Sequence, residues 1–487
     1  MKANFQNIYA SSRFASLARK LSFFCENSFV FKQREYFKNS RLSWPELWRN
    51  SKFFSTLSSG LDRLRPQIQS GFLDKLTLLL FFIIFLFTPF KSWLKNAYPS
   101  NLYTFLVPVA LVLIAAWLLA RKRSEKMHFT LADLGIIFIV FSILVSSFAS
   151  LFTYGQVKNI YYEGFIWLSY IAVFYIGRTI FQTKKQLKVF LAFNLFIVFV
   201  VSLIGIGQLV LGVQTPQWIE GFELIKTRIF STLDNPIILS GYLNIFFFIA
   251  LGIFFGLKRL KSKLLLLPLF AVMLVALVLT FSRSGWIGLV LGLLFFFFIY
   301  KPKYILGIIP LSIFSLLVIP KSYFYRLTDI FDSRYNAISS VSGRTWTLHN
   351  VFHILPHHLL FGVGPGMYGG EVAFKTSPSI VYMEGIQGGA VPMQNTDNQF
   401  LQILIEQGLL GILAFIFFAL AILCSGLIVY QHLNDRLLKM LALGITTAFF
   451  AFLVQSVFTD SLQFPQMALT MFGFLGILLS LPRIKLT

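Results

Sequence analysis

The sequence predicts an all-α polytopic membrane protein of about twelve transmembrane helices, with a long extracytoplasmic loop between the ninth and tenth. Of 487 residues, 56% are hydrophobic and 17% aromatic, whereas only 13% are charged. That is about half the charged share of a soluble domain, too little to cover a core of this size, and it excludes a soluble enzyme. Apolar runs of membrane-spanning length recur along the chain, so one bundle is a better reading than two or three globular domains. The net charge of +23 would suit nucleic acid, but in a membrane protein such an excess belongs in cytoplasmic loops facing anionic lipid. No nucleic-acid partner is expected. Cys25 and Cys424 provide neither a disulfide framework nor a metal cage and read as free thiols.

Apolar runs lie at 76–90, 102–120, 131–152, 161–177, 187–212, 237–257, 264–281, 286–300, 304–320, 400–430, 437–458 and 466–481. Four regions follow: a basic cytoplasmic tail (1–75), spans one to nine (76–320), an extracytoplasmic loop (321–399) and spans ten to twelve (400–487). No small-residue cleavage site follows the first run, which therefore reads as an anchor rather than a removed signal peptide. With the N-terminus inside, 31 of the 42 Lys and Arg fall in inside segments and 11 outside, as the positive-inside rule requires. In the tail, Phe14, Leu17, Leu21 and Phe24 follow helical spacing between Arg13, Arg19 and Lys20, and Trp44, Leu47 and Trp48 repeat the mixture. The tail is either amphipathic, binding anionic membrane lipid, or a disordered basic segment.

The 321–399 loop is too long for a simple connector, and such loops usually carry function. A helix is expected near Thr345–Leu355, ended by Pro356 and followed by a glycine-rich turn. Five segments on the outer side hold residues suited to chemistry. Arg228 opens R-I-F-S-T-L-D-N-P-I-I-L-S-G-Y-L, which includes Asn235. Arg283 lies in L-T-F-S-R-S-G-W, between the seventh and eighth spans. Arg344 and Trp346 lie in S-G-R-T-W. Residues 357–368 read H-H-L-L-F-G-V-G-P-G-M-Y, and residues 395–411 read N-T-D-N-Q-F-L-Q-I-L-I-E-Q-G-L-L-G.

In this order, the segments resemble those of the O-antigen ligase and polymerase superfamily of bacterial envelope glycosyltransferases. Members carry an Arg before a G-T-F-x-N-P-N-like stretch, an S-R-x-x-W turn, and an Arg-x-Trp ahead of H-P-L-x-G-x-G-x-G. A motif like H-N-x-x-L-Q-x-x-x-E-x-G-x-x-G follows. The likeness covers roughly residues 76–481 and departs at one place. Where the ligases carry a His as proposed base, this chain has Asp397, followed by matching Asn398, Leu401, Gln402, Glu406, Gly408 and Gly411. Repeat-unit polymerases vary more at this position, which tilts the expectation from ligase towards polymerase.

The resemblance implies a glycosyltransferase of the bacterial cytoplasmic membrane, active on its outer face. Its donor would be a polyprenyl-diphosphate-linked glycan and its acceptor a glycan, lipid or protein. By this likeness Arg228, Arg344 and Asp397 are the catalytic candidates. Arg283, Asn235, Trp346, Gly364, Gly366, Asn398 and Gln402 are substrate-binding candidates. The chemistry suits these residue types. Negative charge grows on the diphosphate as the glycosidic bond breaks, and a guanidinium can meet phosphate oxygens at two points. The acceptor hydroxyl must lose a proton, which Asp397 could take. No Asp-x-Asp motif is present, so neither metal nor cofactor is expected.

Each candidate has a plainer reading. Arg228 could snorkel at the interface, Arg283 could hold its short turn, and Arg344 could pair within the loop. Asp397 could be the N-cap of the tenth span. His349, His353, His357 and His358 would suit zinc only if Pro356 did not break their helical register. Gly362, Gly364 and Gly366 follow no strand and read as a tight turn folding the loop onto the bundle, not as a dinucleotide fingerprint. A lipid-linked-oligosaccharide flippase could also have twelve spans. It would, however, carry its cations along a central cavity and show internal repeats.

Overall fold

A computed structural model describes residues 70–90, 111, 129–155, 157–213, 228–233, 235–305, 344–370, 372 and 396–485. The apolar runs form helices because a bilayer core leaves backbone N–H and C=O groups no partners but one another. In chain order the helices are α1 (Ser70–Phe87), α2 (Leu131–Tyr154), α3 (Val157–Ile180), α4 (Lys184–Val210) and α5 (Pro236–Gly256). Then come α6 (Leu267–Leu279), entered through a short turn at Leu260–Leu264, α7 (Arg283–Tyr300) and α8 (Arg344–Ile354). The last three are α9 (Gln399–His432), α10 (Arg436–Ser456) and α11 (Pro465–Ser480). No strand occurs among the described residues, and one isolated bridge pairs Thr183 with Lys485.

Nine of the described helical segments are long and apolar enough to cross a membrane, and Lys75–Phe90 is a shorter apolar one. Together they occupy the expected first, third to eighth, and tenth to twelfth spans. The expected spans at 102–120 and 304–320 lie outside the described residues, apart from Leu111 and Tyr304–Ile305. The amphipathic segments expected in the tail also lie outside them.

Helix starts are marked by residues able to cap free amides. Thr130 and Asp133 form a capping box on α2, and Thr183 and Gln186 form one on α4. Asn235 caps α5 with Pro236 behind it, Ser282 caps α7, and Asp435 caps α10.

The centre of the bundle is built from α5, α10 and α11, the helices whose apolar windows are most fully buried. Gly252 and Gly444 let α5 and α10 touch backbone to backbone, since a Cβ on Gly252 would lie 2.4 Å from the Met440 carbonyl oxygen.

The two ends of the bundle differ. At one, Arg178 and Asp133 form a fully buried ion pair that Tyr175 joins through its hydroxyl. Nearby, Lys184 pairs with Asp435, and Arg436 donates to the Phe255 carbonyl. At the other end meet the starts of α5, α7, α9 and α11, the ends of α2, α4, α6 and α10, and α8.

Candidate active site

Every described motif segment converges on that second end. The helix expected at Thr345–Leu355 is α8, Arg344–Ile354, with Pro356 inside the 3₁₀ turn that ends it. Its first residue, Arg344, reaches across to the start of α9. The Nε of Arg344 lies 3.4 Å from Oδ2 of Asp397, and its Nη2 donates to the Phe458 carbonyl at 2.8 Å. The two side chains stay 41% and 48% exposed, so the pair is open to a ligand.

Asp397 is not the cap of α9. That role belongs to Asn398, whose side-chain oxygen accepts from the amides of Phe400 and Leu401. Asp397 precedes it with φ +50°, a left-handed conformation in which Asp, Asn and His are enriched among non-glycine residues. This twist turns the Asp397 carboxylate towards Arg344 instead of the helix amides.

The segment is held by a residue that sequence reasoning missed. Asp460, buried in the turn between α10 and α11, accepts from the Asn398 amide at 2.9 Å and the Thr396 hydroxyl at 2.7 Å. It also accepts from the Asp397 amide at 3.3 Å. Burial, with the nearby Asp397 charge adding to it, pushes Asp460 up to about 7, against the opposing hydrogen bonds. Asp397 is also raised, first by desolvation from the protein packed around its half-exposed side chain, with Arg344 working in the opposite direction.

The other two arginines stand at the same end. Arg228 donates through Nε to the Thr280 carbonyl at 3.0 Å, just beyond α6. Arg283 is the first residue of α7, directly after its cap Ser282. A buried polar chain joins these segments to α10: Gln455 donates to Ser240, Ser240 to Ser282, and Asn244 to the Gly285 carbonyl. One turn beyond Gln455 is Phe458, whose carbonyl holds Arg344. The C-terminal turn of α10 therefore links the Arg228 and Arg283 segments to the Arg344–Asp397 pair.

The glycine-rich turn docks where α9 is broken. Gly408 interrupts α9 with φ +67° and ψ −163°, and its neighbour Leu409 donates to the Leu359 carbonyl. The amides of Val363 and Gly364 donate to the carbonyls of Ile405 and Glu406, freed by the break. Gly364 has φ +116°, and a Cβ there would lie 2.2 Å from the Ser150 hydroxyl. The turn thus folds the loop back on the bundle, as the spacing suggested.

The remaining candidates are placed as follows. Asn235 and Asn398 cap helices, and Gln402 donates to Glu406 at 2.8 Å inside the bundle. Gly364 and Gly366 shape the turn, and Trp346 packs on the small core around Val351, Val363 and Ile405. The structure assembles Arg344 with Asp397 and sets these residues around them as framework. Of the four histidines, His358 meets the Tyr154 hydroxyl at 3.0 Å. Among the described residues no three His, Cys, Asp or Glu side chains group as metal ligands.

Fold and site together define a polytopic helical membrane protein with an arginine–carboxylate site at one end of its bundle. Residues 268–416 match the family model described as O-antigen ligase. That interval holds Arg283, Arg344, the glycine-rich turn and Asp397, while Arg228 and Asp460 fall outside it. Over that interval the chain is similar to the O-antigen ligase family, whose members in general use lipid-linked glycan donors and acceptors. No curated protein matches the chain.

Proposed function

We propose that this protein polymerises glycan on the outer face of the bacterial cytoplasmic membrane from a polyprenyl-diphosphate-linked donor. The observation that carries this reading is the Arg344–Asp397 pair, half-exposed at the end of the bundle where the Arg228 and Arg283 segments also lie. The acceptor hydroxyl gives its proton to Asp397, and its oxygen attacks the sugar's anomeric carbon. The bond from that carbon to the diphosphate breaks, with the electron pair leaving on the diphosphate. Arg344 and Arg228 stabilise the charge that develops there. Asp397 is suited to the proton because desolvation by the surrounding protein raises it above an ordinary carboxylate while Arg344 favours its ionised form.

A ligase transferring glycan to a lipid, cell-wall or protein acceptor would use the same geometry, and the family description favours it. Asp397 in place of the ligases' His supports the polymerase. The deciding experiment reconstitutes the protein with lipid-linked glycan. Products that lengthen on the lipid carrier support polymerisation; products that move intact to another acceptor make the protein a ligase. No transfer with any acceptor would remove both readings.

A further inference from the structure

The loop assigned to the aqueous side carries an apolar surface that water would not favour. On α8 the half-exposed Arg344 is followed at helical spacing by exposed Leu348 and Phe352, which border a polar edge of exposed Thr345, His349 and His353. Past the 3₁₀ turn, Leu360 is 58% and Phe361 44% exposed. These residues wrap the α9 kink, where a Cβ on Gly408 would lie 2.3 Å from the Leu360 carbonyl oxygen. Immediately below the kink, Leu410, Leu413, Ile416 and Leu420 of α9 form an exposed apolar stripe at spacings of three and four.

The length of α9 gives the depth. The whole helix would measure roughly 51 Å, well beyond a hydrocarbon core of about 30 Å. The part from Leu409 to His432 measures roughly 36 Å, enough by itself to cross. The kink therefore lies near the hydrocarbon boundary, and residues 359–361 lie at that level. Tyr154 at the end of α2 marks the same level through its bond to His358.

From this juxtaposition we infer that α8 and the turn after it are seated in the membrane leaflet at the site's end of the bundle. Phe352, Leu360 and Phe361 enter the acyl region, and Arg344 stands at headgroup depth. The occupant of the apolar face is membrane lipid, because the face continues the lipid-facing stripe of a membrane span. On the proposed function, a polyprenyl diphosphate then meets Arg344 without leaving its leaflet.

The test uses the full-length chain in proteoliposomes, with Cys25 and Cys424 replaced by Ala. Phe352→Cys, Leu360→Cys and Leu420→Cys are each labelled with an environment-sensitive fluorophore. Blue-shifted emission is expected at all three positions. Lipids with a quencher near the headgroup should cause the greater loss at 352 and 360, and lipids with a deep quencher the greater loss at 420. Water-like emission quenched by iodide at 352 and 360 overturns the inference. So does blue-shifted emission that no lipid quencher touches, since protein then covers the face. The readout needs no glycan transfer. Expected quenching alongside a fully active Arg344→Ala would leave the seat standing and remove only the catalytic reading.

Discussion

Asp397→Asn separates chemistry from architecture at the centre of the site. The amide keeps the shape of the side chain and one oxygen near Arg344, but it cannot accept a proton at neutral pH. The fold should hardly notice. Asn tolerates φ +50°, the cap of α9 is the untouched Asn398, and the backbone bond from residue 397 to Asp460 remains. The ion pair that is lost has a 3.4 Å contact between half-exposed side chains, and solvent limits such a pair to about 0–1 kcal/mol. Loss of general-base assistance should lower the rate by about 10²–10⁴. That corresponds to about 3–5 kcal/mol on the barrier, several times the stability effect. The assay measures initial rates with lipid-linked glycan in proteoliposomes, with thermal unfolding followed on the same preparation. A well-folded variant with a near wild-type rate would refute the base assignment. A large fall in melting temperature would make the pair structural instead.

Arg344→Ala and Arg228→Ala should each abolish transfer, and the Lys variants should keep partial activity, because a point charge attracts diphosphate without the two-point contact; rates in the same assay decide. Asp460 carries the pH dependence: with its pKa raised to about 7, its stabilising contribution is full below the ordinary carboxylate range and is lost as pH rises through about 7. Protonating it removes a charge beside Asp397 and weakens that base, so transfer should rise with pH through the same region, and pH–rate and pH–melting profiles of Asp460→Asn should both lose this feature. Gly408→Ala should cost at least about 1–3 kcal/mol, since its backbone region is essentially restricted to glycine and a Cβ would strike Leu360, and thermal unfolding reads the loss. An impermeant thiol reagent applied from outside should label Thr345→Cys and spare Lys185→Cys in a chain lacking Cys25 and Cys424; the opposite pattern would invert the topology.

Much of the helical framework was legible because hydropathy is a local property. The expected spans 237–257, 437–458 and 466–481 differ from α5, α10 and α11 by a residue or two at each end. The start of α3 was missed by four residues, since Val157–Ile160 includes Lys158 and the buried Asn159, which donates to the Gly366 carbonyl. A polar residue satisfied by a distant loop looks, in sequence, like the end of an apolar run. The family motifs brought attention to Arg344 and Asp397, but not to their relation. Whether Asp397 or Asn398 caps α9 depends on one backbone dihedral. The break at Gly408 lies within an apolar stretch that hydropathy reads as continuous. Asp460 is 63 positions beyond Asp397 and has no motif around it. Its only sequence signal is an acidic residue in the short connection between two apolar runs.

An Asp at the position where the resembled ligases carry a His becomes intelligible from this geometry. Residue 397 is fixed by three constraints: a left-handed backbone, a following residue that caps α9, and amides held by Asp460 from a separate helical turn. None of these involves the side chain at 397. The backbone condition favours Asp, Asn and His among non-glycine residues, and of these only Asp and His carry a titratable group that can accept a proton. Either can therefore occupy the slot while its surroundings remain unchanged. On the proposed function an Asp needs help that a His does not, because an ordinary carboxylate is too weak a base. Desolvation raises it, while Arg344 works in the opposite direction and favours the ionised form. The two aspartates and Arg344 thus act as a single electrostatic unit, assembled from α8, the start of α9 and the turn between α10 and α11. The distance between those elements in sequence is why no local motif describes it.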